Sequence, residues 1–338
     1  MAKNASLNKA NKAKQDEFYT QIADIERELR HYTEHFRGKI IFCNCDDPEE
    51  SNFWKYFALN FYQLGLKKLI STHYEESKPS YKLEIVAGET AQGQVKIPDV
   101  IKTPLRQNGD FRSPECIEIL QEADIVITNP PFSLFKEYIA QLMEYEKKFI
   151  VIGSKNAITY KEVFRLLQEN KMWLGYGFKA GNAYFAIPPE MASNYGENVY
   201  NPETGLVKFR NCGWYTNLDV KKRHEPLNLY KTYNQADYPT YANYDAIEVG
   251  KVADIPADYY GEMGVPITYL DVHNPEQFEI IGGSRWLGRS MSEIAPKGSY
   301  VAGGIRFYLP EENPGEGQLK YKCLYDRIVI RRIKPNED

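Results

Sequence analysis

Ile125-Val126-Ile127-Thr128-Asn129-Pro130-Pro131-Phe132 is the stretch on which the reading of this chain turns. Its first half lacks any polar alternation, which marks a strand buried on both faces, as in a parallel sheet. Beyond it, Phe135, Tyr138, Ile139, Leu142 and Met143 fall on one helical face, and a second apolar run follows, Phe149-Ile150-Val151-Ile152-Gly153. Strand, polar turn, amphipathic helix and strand make a βαβ unit. Asn129-Pro130-Pro131-Phe132 then stands at the carboxyl end of the first strand, where open α/β sheets bind ligands. The two prolines fix φ, hold the backbone extended and withhold two N–H donors. What remains is a stiff turn with free carbonyls beside the Asn129 amide oxygen, and Phe132 as an aromatic plate. Two acceptors and a plate suit a flat group that carries an amino nitrogen.

Working outward, the rest of the chain supports one large or two ordinary domains: 338 residues, 43% hydrophobic. No apolar stretch approaches the roughly 20 residues a membrane span requires. The first residues are polar and lysine-bearing with no apolar core of a leader, so the expectation is a cytoplasmic protein. Five cysteines, few and odd in number, argue against a disulfide scaffold, and the lone Cys43-x-Cys45 has no second pair at metal spacing, so no metal is expected. The net charge of −4 argues mildly against nucleic acid as partner, but its distribution argues the other way. Lys3, Lys9, Lys12 and Lys14 precede the first acid, Asp16; Lys208, Arg210, Lys221, Lys222 and Arg223 cluster later; Arg331, Arg332 and Lys334 close the chain. Each is by itself an ordinary solvated face; together they can line one side of a cleft.

Taken in order, residues 1–15 read as a flexible basic arm. A helix carrying Ile22, Ile25 and Leu29 follows, then a first strand from Lys39 to Cys45 and a helix marked by Phe53, Phe57, Phe61 and Leu64. The turn after the first strand, Asn44-Cys45-Asp46-Asp47-Pro48, contains no glycine, unlike the nucleotide-binding turns of Rossmann sheets. Lys68 to Thr72 reads as a second strand, ending in Thr72-His73-Tyr74-Glu75, where Glu75 is a candidate for a ribose and His73 is assigned no role. Residues 76–108 look like an inserted hairpin or loop. Ser113-Pro114 is a helix cap and first turn. A helix over Val163, Leu166 and Leu167, a strand at Met172–Leu174 and a closing strand from Trp214 to Val220 complete this half. From about Pro226 tyrosines are dense and elements short. Gly282 to Ser290 suggests a flexible basic loop, and Tyr325 to Ile333 a final strand.

The tetrapeptide resembles the (Asp/Asn/Ser)-Pro-Pro-(Tyr/Phe/Trp) motif of amino-methyltransferases. Asp16-Glu17-Phe18-Tyr19-Thr20, Cys43 to Pro48, Gly109-Asp110-Phe111-Arg112-Ser113, Ile158 to Phe164, Thr216 to Val220 and Met263 to Thr268 resemble, in the same order, segments of the EcoRI-type adenine-N6 DNA methyltransferases. The resemblance covers most of the chain and is weakest after about residue 280. It implies an α/β fold with a Rossmann-like class I methyltransferase sheet, helices on both faces and a C-terminal target-recognition region. The corresponding boundaries are an arm at 1–15, a methyltransferase domain at 16–225 and a recognition region at 226–338.

It implies S-adenosyl-L-methionine as cofactor and double-stranded DNA as partner. Phe18, Tyr19 and Thr20 would flank the methionine part, against the plainer reading of the two aromatics as core. Asn44, Cys45 and Asp46 would line the cofactor, with Asp46 or Asp47 on ribose hydroxyls or the methionine ammonium. Asp110 would accept from the cofactor's adenine amine, as a carboxylate does, and Phe111 would pack on that ring. Adenine would be flipped out of the duplex, stacked on Phe132 and held by the Asn129 oxygen and the Pro130 carbonyl, with Pro131 stiffening the turn. Tyr184 or Phe185 would meet the base's other face. Lys14, Lys221, Lys222, Arg223, Arg285 and Arg289 are candidates for DNA contacts. The enzyme is expected to act as a monomer, in restriction–modification beside an endonuclease it does not touch, or as an orphan or phage enzyme. The rival expectations are methylation of RNA or a protein amide, and a catalytically inactive nucleic-acid-binding relative.

Overall fold

The computed structural model of the protein describes residues 18–45, 47–75, 79–88, 99–301, 306–312 and 319–334. The chain separates into two compact units, Met1–Val163 with Met172–Leu218, and Phe164–Lys171 with Asp219–Asp338.

The first unit is built on an eight-stranded mixed sheet. Its centre is parallel: β3 (Lys68–Thr72), β2 (Ile40–Cys43), β6 (Ile125–Thr128) and β7 (Lys148–Ser154) lie side by side in that order. Every residue of β2 and β6 is buried, as an unbroken apolar run requires. Antiparallel strands extend both edges. On one side stand β4 (Tyr81–Val86) and β5 (Ile101–Pro104), so the expected insertion is a hairpin that continues the sheet from β3. On the other stand β12 (Cys212–Thr216), two residues earlier than the expected Trp214 start, and β8 (Trp173–Leu174). A second sheet of four short strands joins β1 (Tyr19–Thr20), β9 (Ala183–Ala186), β11 (Leu206–Phe209) and β10 (Tyr200–Asn201).

The helices arise where the sequence places them. α1 (Ile22–Leu29) buries Ile25 and Leu29, and α2 (Asn52–Leu59) starts at Ser51, whose hydroxyl accepts from Phe53 N at 3.2 Å. Phe61 and Leu64 lie beyond its end, buried in the following turn. α3 (Pro114–Glu122) is capped by Ser113 with Pro114 in its first turn. α4 (Phe135–Glu144) buries Phe135, Tyr138, Ile139 and Leu142, and α5 spans Lys161–Gln168. α4 approaches β7 closely because Gly153 has no side chain: a Cβ there would sit 2.3 Å from the Phe135 ring. That fit fixes the start of α4, and with it the residues just before it.

In the second unit β13 (Ile247–Glu248), β14 (Glu262–Pro266), β18 (Arg327–Arg332) and β15 (Phe278–Gly283) form one sheet, and β16 (Tyr308–Glu312) pairs with β17 (Leu319–Cys323). The expected flexible loop at Gly282–Ser290 is not found. Gly282 and Gly283 end β15, paired with Val329 and Ile328, and Ser284–Leu287 is a helical turn. The two glycines serve packing: added Cβ atoms would lie 2.8 Å from Leu287 and 2.7 Å from Trp286. Tyr238, Tyr241 and Tyr269 are buried. Tyr241 and Arg327 converge on Glu248, with Arg327 Nη2 donating at 2.7 Å. Among the described residues no helix is long and apolar enough to cross a membrane.

Candidate active site

Parallel pairing of Ile41 with Ile125 and Phe42 with Val126 sets the carboxyl ends of β2 and β6 side by side. Asn129 follows β6 and is 5% exposed. Its Nδ2 donates to the Phe18 main-chain carbonyl at 2.7 Å. Its Oδ1 is buried and accepts nothing among the described residues. An orphaned buried acceptor costs about 1–3 kcal/mol, so its retention calls for a reason. Pro131 O is engaged, accepting from Leu134 N at 3.0 Å as a single 3₁₀ turn begins, so of the two proline carbonyls expected to be free only that of Pro130 accepts no main-chain donor among the described residues. The Phe132 ring stacks on Phe18, with centroids 5.8 Å apart and planes at 28°. Phe185 meets it edge-on at 6.3 Å. Thus Phe18 and the Asn129–Phe132 corner, far apart in the chain, are one assembly.

Tyr19 and Thr20 extend this assembly as β1, paired with Ala186 and Phe185 of β9. Thr20 Oγ1 is a second buried polar atom with no partner among the described residues. Phe185 is fully buried, whereas Tyr184, on the alternate face, is exposed with Lys208 Nζ 5.7 Å from its ring centroid.

The turn after β2 solves its missing glycine with Cys45, which takes φ +71°, a conformation few side chains adopt. Asn44 before it is structural as well as near the site. The Thr128 hydroxyl donates to its carbonyl and the Tyr138 hydroxyl to its Oδ1, tying β2, β6 and α4 together. Burial pushes the Tyr138 hydroxyl well above its usual pKa, so it donates throughout the working range. Asp46 and Lys14 lie outside the described residues. Asp47 is described: its Oδ1 accepts from Tyr81 Oη at 2.9 Å and from Glu49 N at 3.0 Å.

Gly109 packs its loop against the end of β3. Its φ is +80°, and a Cβ there would lie 1.9 Å from His73 O. Asp110 follows, gripped by Arg112 through Nε at 2.9 Å and Nη2 at 2.7 Å. That pairing holds its carboxyl below the usual carboxylate range, against the opposing effect of burial. Phe111 is buried, edge-on to Tyr138 at 5.0 Å. The carboxyl ends of β2, β3 and β6 therefore gather Asn44, Cys45, Asp47, Asp110, Phe111 and Asn129 at one edge of the sheet.

The basic candidates of the second unit are less open. Arg285 is bound twice by Asp326, at 2.8 and 2.9 Å, and Arg223 lies 3.6 Å from Asp219 and donates to Asn170. Lys221 and Arg289 are exposed and make no ion pair among the described residues. No group of three His, Cys, Asp or Glu that could hold a metal occurs among the described residues.

With this geometry in place, comparison with known proteins defines the class. A model of the family described as adenine-specific methyltransferase EcoRI matches residues 6–333. The chain belongs to that family of methyltransferases. It is 49% identical to Type II methyltransferase M.EcoRI of Escherichia coli over 83% of this chain and 90% of the relative. It is 39% identical to M.MgeORF184P of Mycoplasma genitalium over 81% of this chain and 85% of that one. It is 38% identical to M.MpnI of Mycoplasma pneumoniae over 81% and 84%. No solved structure matches significantly.

Two groups escaped the sequence reading. Tyr138 counted there only as an apolar stripe residue, although a buried tyrosine hydroxyl demands a partner. Glu28, on what reads as the polar side of α1, is fully buried. It accepts from Tyr32 Oη at 2.9 Å, Tyr176 N at 2.8 Å and Gly177 N at 2.9 Å, tying α1 to the segment that leads to β9. Nothing in the local pattern signals this, because its donors come from distant backbone.

Proposed function

We propose that the protein is a site-specific DNA adenine-N6 methyltransferase of a restriction–modification system that draws its methyl group from S-adenosyl-L-methionine. The observation that carries this reading is the buried Oδ1 of Asn129, which has no partner among the described residues, next in the chain to the Pro130 carbonyl and close to the ring of Phe132. Family membership and the likeness to Type II methyltransferases support it. So does the parallel centre of the sheet, which we take as a Rossmann-like class I methyltransferase arrangement. The second unit, with Lys221 and Arg289 exposed, is the proposed target-recognition region. We place one copy on each duplex site, with a cognate endonuclease that cuts the same sequence without touching this chain.

The polar groups at the strand ends fit the cofactor: Asp110 is an ionised acceptor for an adenine amine, and Thr20 Oγ1 is a buried hydroxyl awaiting a partner. When bound, S-adenosyl-L-methionine supplies a methyl carbon made electrophilic by its sulfonium. The adenine amine is a poor nucleophile because its lone pair is delocalised into the ring, and inside a duplex it is paired. Flipping it out costs a few kcal/mol, offset in part by stacking on Phe132, about 1–3 kcal/mol for base–aromatic contacts. Asn129 Oδ1 and the Pro130 carbonyl accept the two amino hydrogens, turn the lone pair out of the ring plane and stabilise the positive charge that grows on nitrogen. Positioning and electrostatics carry the step.

The experiment is transfer of labelled methyl to duplex DNA, RNA and protein, with mapping of modified bases in a host that expresses the chain. N6-methyladenine at a defined duplex sequence, lost in Asn129→Ala, is the expected result. Transfer confined to RNA or protein would overturn it.

A further inference from the structure

β15 ends and β18 begins at one place in the second unit's sheet, where Gly283 pairs with Ile328. There the two segments are locked together. Ser284 is buried, and its hydroxyl accepts from Arg327 N at 3.0 Å. The Arg327 guanidinium, pinned by Glu248, also donates through Nη1 to the Tyr325 carbonyl at 3.3 Å. On this platform two side chains stand as a pair. Arg285 donates to Asp326 from Nε at 2.8 Å and from Nη2 at 2.9 Å, one bond to each carboxylate oxygen. The Arg285 side chain nevertheless remains 41% exposed. Asp326 takes the Nε side of the fork. The outer edge, made of Nη1 and the second N–H of Nη2, donates to nothing among the described residues. Exposed aromatics adjoin the pair in sequence: Tyr325, 85% exposed, precedes Asp326, and Trp286 follows Arg285.

An ion pair this open to water contributes little to stability. What a two-bond pair does supply is direction, because it fixes the plane of the guanidinium. We infer that Arg285 reads a guanine of the target duplex from the major groove, its outer edge donating to O6 and N7, and that Asp326 is the positioning residue that aims it. The inference deepens the DNA-methyltransferase reading above and rests on it. The pairing favours a base over a phosphate for two reasons. Asp326 cancels much of the guanidinium's charge, which is what a phosphate contact draws on. It leaves two parallel N–H donors, which match the two acceptors that guanine presents in the major groove. The pair with Asp326 then does not close Arg285 to DNA but turns a basic side chain into a specificity-determining one.

The test starts from the methylated consensus, read by modified-base sequencing in a host that expresses the full chain. Duplexes with that consensus are made with each guanine in turn replaced by 7-deazaguanine, which keeps its base pairing and lacks N7. In the wild type one replacement is expected to lower kcat/KM about tenfold, the size of one charge-assisted hydrogen bond. The same replacement should have no effect in Arg285→Lys, which keeps the charge and loses the fork. Asp326→Asn should reduce the sensitivity several-fold, with a melting temperature close to that of the wild type. In both variants the methylated consensus should admit other bases at that position. Arg285→Ala should leave the salt dependence of duplex binding unchanged. A wild type indifferent to every replacement would overturn the inference, as would a consensus without guanine. So would an Arg285→Ala that weakens all sequences alike and lowers the salt slope by about one, the mark of a phosphate contact. Full sensitivity in Asp326→Asn would overturn the role given to Asp326. A wild type that transfers no methyl to duplex DNA would overturn the DNA-methyltransferase reading itself, and this inference with it.

Discussion

Asn129 Nδ2 donates to the carbonyl of Phe18 at 2.7 Å, and this bond decides which way the carboxamide faces. With the nitrogen committed, the oxygen is left as the open acceptor. Related motifs use Asp at this position, but here a carboxylate would set an oxygen against the Phe18 carbonyl oxygen. Asn129→Asp should therefore lower single-turnover methyl transfer by about 10²–10³-fold, the cost of removing one well-placed catalytic group, and lower the melting temperature. Asn129→Ala should lose at least as much rate with S-adenosylhomocysteine affinity within a few-fold of wild type. A near-normal rate in Asn129→Asp would show that Phe18 does not orient the amide.

Cys45 carries a side chain in a backbone conformation that glycine adopts freely. A left-handed residue other than glycine costs about 1–2 kcal/mol, more when β-branched. Thermal melts should find Cys45→Gly no less stable than wild type, and Cys45→Val destabilised by about 2 kcal/mol or more. Equal stability of the Val variant would remove backbone strain as the constraint on this turn.

Gly109→Ala should be among the most damaging single-methyl changes in the chain. The new Cβ would meet His73 O, which belongs to main chain and cannot swing aside, and φ at +80° adds its own strain. The loop bearing Asp110 must then lift from β3. The expected outcome is a loss of S-adenosylhomocysteine affinity of tenfold or more, with faster hydrogen exchange in residues 108–112 and a global fold unchanged by circular dichroism.

Glu248 and Arg327 form a buried pair in the second unit, their side chains 9% and 12% exposed, with Tyr241 as a further donor. Glu248→Leu would strand the guanidinium in the core. Removing one partner of a buried pair costs about 3–5 kcal/mol. Denaturant unfolding should show a loss of that order, and Glu248→Leu combined with Arg327→Leu should recover much of it.

The parallel centre of the sheet was legible because β2, β6 and β7 carry short unbroken apolar runs, and because turn-forming residues follow them: Asn44 to Pro48 after β2, Asn129-Pro130 after β6 and Gly153-Ser154 at the end of β7. The tetrapeptide's place followed from them. Less legible was anything that depends on a distant backbone atom. The orientation of Asn129 is set by Phe18, more than a hundred positions away, and the burial of Glu28 by the amides of Tyr176 and Gly177. Gly282 and Gly283 misled in the opposite direction. Read locally, a glycine pair is a mobile loop; in the fold it admits Leu287 and Trp286 against a strand. Periodicity reports which face is buried, but it carries no record of what that face meets.

Asp110 offers a test by pH. Arg112 holds its carboxyl below the ordinary value, so the ion pair stabilises the fold above the unfolded pKa, about 3.9 for aspartate. That contribution is lost as pH falls through the lower folded value. The acid is therefore fully ionised wherever the enzyme works, ready to accept from an amine. Because the side chains of Asp110 and Arg112 are 22% and 46% exposed, solvent screens much of the pair's worth to stability. Protonation is thus the sharper readout. In Arg112→Leu the guanidinium bonds that lower the pKa are gone, while the main-chain N–H of residue 112 still donates to Asp110 Oδ1 and the burial that raises the pKa remains, so the Asp110 carboxyl should titrate at higher pH than in wild type. Carboxyl-carbon NMR would follow that residue directly, and the acid limb of S-adenosylhomocysteine binding should move upward with it. A titration that shifts while the binding limb stays in place would separate Asp110 from the cofactor.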